Sequence, residues 1–300
     1  MDAAFVGDVP CLRTLVEYGA DVNVVAGTGA KHTPLTRLCQ FHRTIPKQAS
    51  HTDALRCLLE LGASPHIAAG PLSLRPIAYA GMGPLTELVD LLVQATRPLD
   101  ALDAAMLCDL HRLRQLAKRD ALVVTDEEQR TPLHYLAMSG YYKELSADKA
   151  IECAAFLLEH GVELDSVQPI PEGFGVFNAT ALWYAVSWQS NARLAAYLLG
   201  RGADPNPGVF AALWDGNIEI CELLDSYGAD WNQRAGDETP IMEMFKYNRT
   251  KLVTWLLDRG VELNVTNAEG LTVLDYARKR KIKKEILDLL VERGAKAGGS

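Results

Sequence analysis

Histidine and cysteine are the residues of this sequence that could most readily bind a metal ion or act as nucleophiles. The seven histidines include no pair spaced i, i+4 with a third ligand nearby, and the six cysteines include no C-x-x-C pair. The glycine-rich stretch 26–33, AGTGAKHT, lacks the G-x-x-x-x-G-K-[ST] spacing of a phosphate-binding loop. The sequence therefore predicts no catalytic residue, no metal site and no cofactor, and we expect a protein that is not an enzyme. We expect the cysteines to be reduced core residues, as in a cytosolic protein.

A repeated helix-and-turn segment must position any other functional residue. In its best example, NARLAAYLLGRGADPN at 191–206, leucines four residues apart share one helical face. A glycine follows that can adopt the left-handed backbone conformation that ends a helix. The equivalent glycines are Gly19, Gly62, Gly161, Gly202, Gly228, Gly260 and Gly294. Leucine stands four residues before each glycine and an apolar residue eight before it, so internal repetition is the main feature of the chain.

The spacing of these glycines predicts nine repeats of roughly 33 residues. The interval between Gly62 and Gly161 has room for three repeat lengths, so we expect two degenerate repeats there, with Ala95 and Asp120 at the glycine position. We predict one domain spanning 1–300, with repeats at 1–30, 31–70, 71–99, 100–128, 129–177, 178–205, 206–236, 237–269 and 270–297.

Five repeats open with a threonine-led motif. The motifs are TPLTRL at 33–38, TPLHYLA at 131–137, TALWYA at 180–185, TPIMEM at 239–244 and TVLDYA at 272–277. Threonine caps a helix, and proline suits its first position, where no N–H is needed. The motifs and their period resemble those of the ankyrin-repeat family over essentially the whole chain. The resemblance implies an all-α repeat solenoid of stacked helix-turn-helix repeats with short β-hairpin fingers, and a structural role for His134.

Differences in repeat length predict where the fingers and loops depart from the family. Extra residues are expected around 43–52 and 141–148, and the insertion 166–177 lengthens the finger before repeat six. Insertions in repeat proteins map to loops and often to a binding face. Repeats four and seven are short instead, and we expect Asn206, followed by Pro207, to cap the first helix of repeat seven. The row of fingers should therefore have two gaps, before repeats four and seven.

The resemblance also implies that the position eight residues after the opening threonine faces a concave groove. That position holds Phe41 in repeat two and Trp188, Trp214 and Tyr247 in repeats six to eight. Exposed aromatic residues often anchor protein interfaces, so we predict partner binding there, with shielding of the groove as the alternative. Tyr184 and Phe210 stand four residues after the opening position, where packing between repeats is favoured and partner contact is the alternative. Further predicted contacts are Trp231, Phe174 and Phe177 in the fingers.

Charge limits the class of partner. The formal net charge is −8 and the pI about 5.4, which argues against nucleic acid and anionic membranes. No apolar run approaches the roughly 18 residues of a membrane span, so we expect no membrane insertion. The basic run at 278–284 is expected to be the solvated face of the last repeat, or else a contact for an acidic segment or nucleic acid.

The sequence thus predicts a monomeric, cytoplasmic interaction module or scaffold that binds an unidentified partner protein through its groove and fingers. An alternative interpretation is a targeting or regulatory domain of a longer scaffold or effector, including a bacterial effector secreted into a host cytosol, whose activity lies outside this chain. An enzyme or small-ligand binder, with a pocket in the groove or at 166–177, is the least favoured alternative.

Overall fold

The computed structural model describes residues 1–27, 29, 31–40, 49–83, 85–141, 147–172 and 175–299. The predicted sites Phe41 and Phe174 lie outside these residues. The described residues form an all-α repeat solenoid, and they divide into two compact units, Met1–Ser166 and Val167–Ser300. No helix among them is long and apolar enough to cross a membrane.

The first unit contains five successive helix pairs among its described residues, one for each of the first five predicted repeats. The helices are α1 Asp2–Val6, α2 Val9–Glu17, α3 Pro34–Cys39, α4 Ala49–Glu60, α5 Pro76–Gly81, α6 Thr86–Thr96, α7 Ala101–Met106, α8 Leu110–Ala117, α9 Pro132–Met138 and α10 Ala147–Glu159. The first helix of each repeat packs on that of the next, from α1 through α9. Their apolar faces therefore form one continuous core.

The second unit begins with a two-stranded antiparallel hairpin, β1 Gln168–Glu172 and β2 Gly175–Ala179, in which Gln168 pairs with Ala179. Four helix pairs follow among its described residues. They are α11 Ala181–Ser187 and α12 Ala192–Gly200, α13 Val209–Asp215 and α14 Ile218–Ser226, α15 Pro240–Lys246 and α16 Val253–Asp258, and α17 Val273–Lys279 and α18 Lys284–Glu292. Short 3-10 turns at Asn206–Gly208 and Thr250–Leu252 lead into α13 and α16.

The predicted caps and turns set the ends of these helices. The five motif threonines are the N-cap residues of α3, α9, α11, α15 and α17. The Thr131 amide donates to His134 Nδ1 at 3.1 Å, which gives His134 the structural role expected of it. All seven glycines have positive φ, and so does Asp120 at 52°, the residue expected to replace glycine in repeat four. Repeat three differs, because α6 continues past Ala95 to Thr96.

The described fingers leave the two expected gaps. Antiparallel bridges pair Ala26 with His32, Ala69 with Leu74 and Ala235 with Glu238, and backbone hydrogen bonds close the turns 126–130 and 267–271. No hairpin is present in the connection between α6 and α7, at 97–100, or in that between α12 and α13, at 206–208. Trimming the repeat thus removes the finger and keeps both helices.

Asparagine side chains tie the turns of neighbouring repeats together. Asn232 Oδ1 accepts a hydrogen bond from the Glu262 N–H at 2.8 Å, and Asn23 and Asn264 make the same contact in their own repeats. Asn206 Oδ1 likewise accepts from the Asp230 N–H at 2.8 Å. The prediction that Asn206 caps the first helix of repeat seven was wrong, because the structure shows no side-chain cap at that helix start and the 3-10 turn leads into α13.

In repeats three and four the N-cap residues are Arg75 and Asp100, which form an ion pair. Asp100 also caps α7, because its Oδ1 accepts a hydrogen bond from the Asp103 N–H at 3.0 Å. Arg75 precedes α5, and its Nη2 donates to both Asp100 carboxylate oxygens at 3.1 and 2.8 Å. The same nitrogen lies 3.0 Å from Oδ1 of Asp103, which is fully buried in α7. Burial raises the pKa of Asp103 to about 7, because desolvation of the carboxylate outweighs the attraction of Arg75.

Candidate functional site

A cavity of about 570 Å³ opens in the second unit where the finger of repeat seven is missing. The hairpin before repeat six bounds it on one side and the finger before repeat eight on the other. The trimmed turn at Asn206 and Pro207 lies between them. The lining consists of 175–178, Trp183, Asn206, Pro207, Phe210, 233–236, Glu243 and Tyr247. A shortening visible in the sequence therefore has a direct structural consequence, because it leaves space between two fingers.

Aromatic rings contributed by the hairpin and the first helices line this cavity. The Phe177 ring lies 5.3 Å from that of Trp183, and Trp183 meets Tyr184 edge-on at 4.8 Å. Phe210 lines the cavity from α13, at the position four residues after Asn206. Phe177 and Phe210 thus lie on the same cavity. Trp183 is half-buried and belongs to the lining.

Tyr247 connects the cavity to an exposed aromatic surface. It follows α15, is 47% exposed and lines the cavity. Its ring meets that of Trp214 edge-to-face at 4.9 Å, and Trp214 is 37% exposed. Such aromatic pairs contribute beyond their buried area, so the two rings support each other's position. Two members of the predicted strip are therefore in contact.

Trp188 lies at the end of α11 and is 36% exposed. Its ring lies 6.3 Å from that of Tyr184, and it is outside the cavity lining. Tyr184 is buried and donates a hydrogen bond to Gln168 Oε1 in β1. The packing interpretation therefore holds for Tyr184, which anchors the hairpin to α11. The prediction of Tyr184 as a contact residue was wrong because its ring has no free surface.

Trp231 is also placed differently from the prediction. It is 6% exposed, its Nε1 donates to Asp225 Oδ1 at 2.8 Å, and its ring meets Trp255 edge-on at 4.7 Å. Asp225 and Trp255 belong to the second helices α14 and α16. Trp231 therefore packs against the second-helix layer and does not border the strip. A residue's place in a finger does not reveal which layer its side chain joins.

A buried carboxylate fixes the finger that forms one wall of the cavity. Glu238 accepts hydrogen bonds from Lys246 Nζ at 2.7 Å and from the Tyr276 hydroxyl. Although burial acts to lower the pKa of Lys246, the hydrogen bond and charge of Glu238 hold it above its ordinary value. Burial, followed by Glu238, raises the pKa of Tyr276. Three elements of repeats eight and nine thus converge on one side chain.

The candidate metal ligands of the described residues are scattered, and most of the thiols are buried. No group of three or more His, Cys, Asp or Glu residues there could hold a metal ion. Five of the six cysteines are buried and all six are free. Burial raises the pKa of Cys108, Cys153 and Cys221 to about 12, so these thiols stay protonated and poorly nucleophilic. What the site offers is a shaped apolar surface with a polar rim.

Comparison with known proteins finds ankyrin repeats in the C-terminal part of the chain. A family model described as ankyrin repeats (3 copies) matches residues 209–298. The NF-kappa-B inhibitor cactus of Drosophila yakuba is 36% identical over 115 residues, which are 37% of this chain and 23% of that protein. The ankyrin repeat protein nuc-2 of Neurospora crassa is 29% identical over 116 residues, 36% of this chain and 10% of that protein. The chain thus spans less than a quarter of the length of these relatives.

A solved structure is similar over a larger share of the chain. An ankyrin repeat domain from Acinetobacter baumannii AYE matches with a TM-score of 0.51 and 22% sequence identity. The match covers 65% of this chain and 98% of that domain. At this identity the similarity concerns the fold.

Proposed function

The chain is an ankyrin-repeat protein, and because such repeats generally mediate protein–protein interaction, we propose that it is a non-catalytic module that binds a partner protein in the second unit. The binding surface is the cavity together with Tyr247 and Trp214. The observation that carries the proposal is the cavity left by the missing finger, because its aromatic lining continues directly into an exposed aromatic pair.

The cavity fits an anchoring side chain of an extended partner segment. Interface energy concentrates in a few residues, and aromatic side chains buried in pockets near the centre are the commonest of them. Here Phe177, Trp183 and Phe210 would surround an apolar group, while Glu243 and Arg234 stand at polar positions of the lining. The fingers and helices are already folded, so little conformational entropy is lost on binding.

Two further proposals follow from the cysteines and the relatives. Six free cysteines suit a reducing compartment, so we place the protein in the cytoplasm. One relative is named as an inhibitor of NF-kappa-B, and inhibition by binding a partner is compatible with a site of this kind. A scaffold role, or a regulatory role within a longer protein, would use the same surface.

The test is affinity capture from a lysate of the source organism with matched aromatic variants. Trp214→Ala/Tyr247→Ala removes the exposed pair, and Tyr18→Ala/Tyr227→Ala removes two exposed tyrosines that do not line the cavity. We expect a protein that the wild type and the Tyr18/Tyr227 variant retain and the Trp214/Tyr247 variant loses, with the far-ultraviolet circular dichroism of all three unchanged. Equal recovery by the two variants would contradict the proposal.

The size of the cavity favours one other candidate, a small-molecule ligand. Ligand pockets commonly measure about 300–1,000 Å³, and this cavity lies in that range. Ligand-observed nuclear magnetic resonance with a library of aromatic fragments distinguishes the two cases. A fragment that binds the wild type tightly, together with no protein captured by the site, would favour the small ligand.

A further inference from the structure

The turns between the paired helices of repeats eight and nine carry positive charge only. We name residues 249–251 and 279–283 the basic turns. Their charged residues, all exposed, are Arg249, Lys251, Lys279, Arg280, Lys281 and Lys283. The equivalent turn of repeat seven contains Asp215 instead, so the charge is concentrated beside the last two repeats.

Several carboxylates of the second unit are paired with cations outside the basic turns. These ion pairs include Lys246 with Glu238, Arg259 with Asp225, Lys284 with Asp288 and Arg293 with Asp258. None of these pairs uses a basic-turn residue. Arg249 Nη1 donates to the Trp214 carbonyl at 3.1 Å, and Lys251 Nζ donates to the Gly216 carbonyl at 2.6 Å. Asp215 lies between these two carbonyls in the chain, so one carboxylate stands beside the six cations of the basic turns and the patch keeps a positive net charge.

The need to keep a terminal repeat soluble does not explain why the charged residues of the basic turns are all positive. The last helix, α18, already presents mixed charge through Lys284, Glu285, Asp288 and Glu292. A polar outer face is all that a terminal repeat needs. The protein as a whole is acidic, with a net charge of −8, so a cluster of exposed cations departs from its overall composition.

The basic turns adjoin the proposed binding surface. The guanidinium of Arg249 lies 4.4 Å from the centre of the Trp214 ring, and Trp214 contacts Tyr247 at the cavity. Helices α15 and α17 pack together, so the turns that follow them occupy equivalent positions in adjacent repeats. Cavity, aromatic pair and basic turns therefore follow one another along repeats seven to nine.

We propose that the basic turns bind an acidic segment of the partner protein, whose apolar side chain enters the cavity. This inference rests on the proposed function, because it assigns the charge of the segment bound at the same site. Clustered, exposed cations attract and orient an oppositely charged segment. Single-stranded nucleic acid is less well matched, because its bases stack on open aromatic faces. Here Arg249 lies over Trp214, and Tyr247 meets Trp214 edge-to-face.

The experiment uses the full chain and a fluorescein-labelled 12-residue peptide of Asp and Glu with one central Phe. An extended peptide of that length spans about 40 Å, so its acidic residues extend well beyond the central Phe on both sides. The comparison probes are the same peptide with Asn and Gln in place of the acids, and a labelled 12-nucleotide oligothymidylate. Fluorescence anisotropy is measured at two salt concentrations. Arg280→Gln/Lys281→Gln/Lys283→Gln neutralises part of the basic turns, and Lys118→Gln/Arg119→Gln/Arg201→Gln neutralises three exposed cations elsewhere.

We expect the acidic peptide to bind at least tenfold more tightly than its amide counterpart, with affinity falling as salt rises. The Arg280/Lys281/Lys283 variant should lose about tenfold in affinity, since each exposed charge contact contributes modestly, and the Lys118/Arg119/Arg201 variant should bind like the wild type. Equal binding of the acidic and amide peptides, or equal loss in both variants, overturns the inference. Tighter binding of the oligonucleotide overturns it in favour of nucleic acid.

The result also separates this inference from the proposed function. Equal binding of both peptides, weakened by Tyr247→Ala, would leave the proposed function standing and remove only the assignment of charge. Loss of affinity for the acidic peptide in the Arg280/Lys281/Lys283 variant but not in Tyr247→Ala would support the basic turns and contradict the use of the cavity. Failure of both peptides to bind contradicts the inference outright.

Discussion

Replacing Glu238 tests whether one buried carboxylate holds the wall of the cavity in place. Glu238 is buried, and it accepts hydrogen bonds from Lys246 in α15 and Tyr276 in α17. In Glu238→Ala both donors lose this acceptor. A hydrogen bond to a charged group contributes about 1.5–3 kcal/mol, and the lower end applies because the Lys246 side chain is 24% exposed. Leaving the buried Tyr276 hydroxyl without its acceptor adds about 1 kcal/mol or more.

We therefore expect Glu238→Ala to lower the free energy of unfolding by about 2–4 kcal/mol. Glu238→Gln keeps an oxygen for Tyr276 and loses only the charge opposite Lys246, so its loss should be about 1–2 kcal/mol. Glu262→Ala is the control, because Glu262 belongs to the same unit and its side chain is exposed. We therefore expect the loss of stability to be largest in Glu238→Ala, smaller in Glu238→Gln and smallest in Glu262→Ala.

Urea unfolding followed by tryptophan fluorescence is the appropriate measurement. All five tryptophans belong to the second unit, so their emission reports on that unit, while circular dichroism at 222 nm reports on the whole chain. The change in midpoint multiplied by the slope gives the change in free energy. If Glu238→Ala and Glu262→Ala unfold at the same urea concentration by fluorescence, the assignment of Glu238 as the residue that holds the finger is refuted.

Two other predictions concern single side chains. Because the pKa of Asp103 is raised, this carboxyl stays protonated in the folded state from about pH 4 to about pH 7, whereas it is ionised in the unfolded state. The folded state is therefore destabilised as pH rises through that window, by on the order of 4 kcal/mol at most. Asp103→Asn should make stability less dependent on pH and should unfold at a higher urea concentration than the wild type at pH 8, because Arg75 keeps Asp100 as its partner. A lower urea midpoint at pH 8 would contradict the cost assigned to burying the Asp103 carboxylate. Asn232→Ala removes the acceptor of the Glu262 N–H and should cost about 1 kcal/mol in tryptophan-monitored unfolding. Asn232→Asp should cost less because it keeps the oxygen, and an equal loss in both variants would count against the contact.

Sequence periodicity was enough to predict the repeats and the interruptions between them. Each repeat needs a cap, an apolar face and a left-handed residue at fixed spacing, so the pattern can be recognised even where Asp120 replaces glycine. The shortened spacing before repeat seven predicted a missing finger, and that gap became the cavity. The number of residues in a connection can be read directly from the sequence.

Side-chain direction within a turn was not predictable in the same way. Trp231 and Asn206 lie in equivalent kinds of segment, yet Trp231 packs on Trp255 and Asn206 bonds to the next turn. These choices depend on which neighbour, 24 residues or more away, presents a partner. Arg249 was missed for the same reason, because only the folded chain brings it over Trp214. The available sequence signal was that Arg249 follows Trp214 by 35 residues, which is about one repeat length.

Site-specific photo-crosslinking detects directly whether a partner protein occupies the cavity beside Tyr247. Tyr227 is the matched control, since it belongs to the same unit and is 46% exposed against 47% for Tyr247. A photoreactive benzophenone amino acid is placed at one position or the other, and the protein is irradiated in lysate of the source organism. We expect a covalent adduct with one protein at position 247 and no such adduct at position 227. The same adducts at both positions, or none at 247, would contradict the proposed binding site.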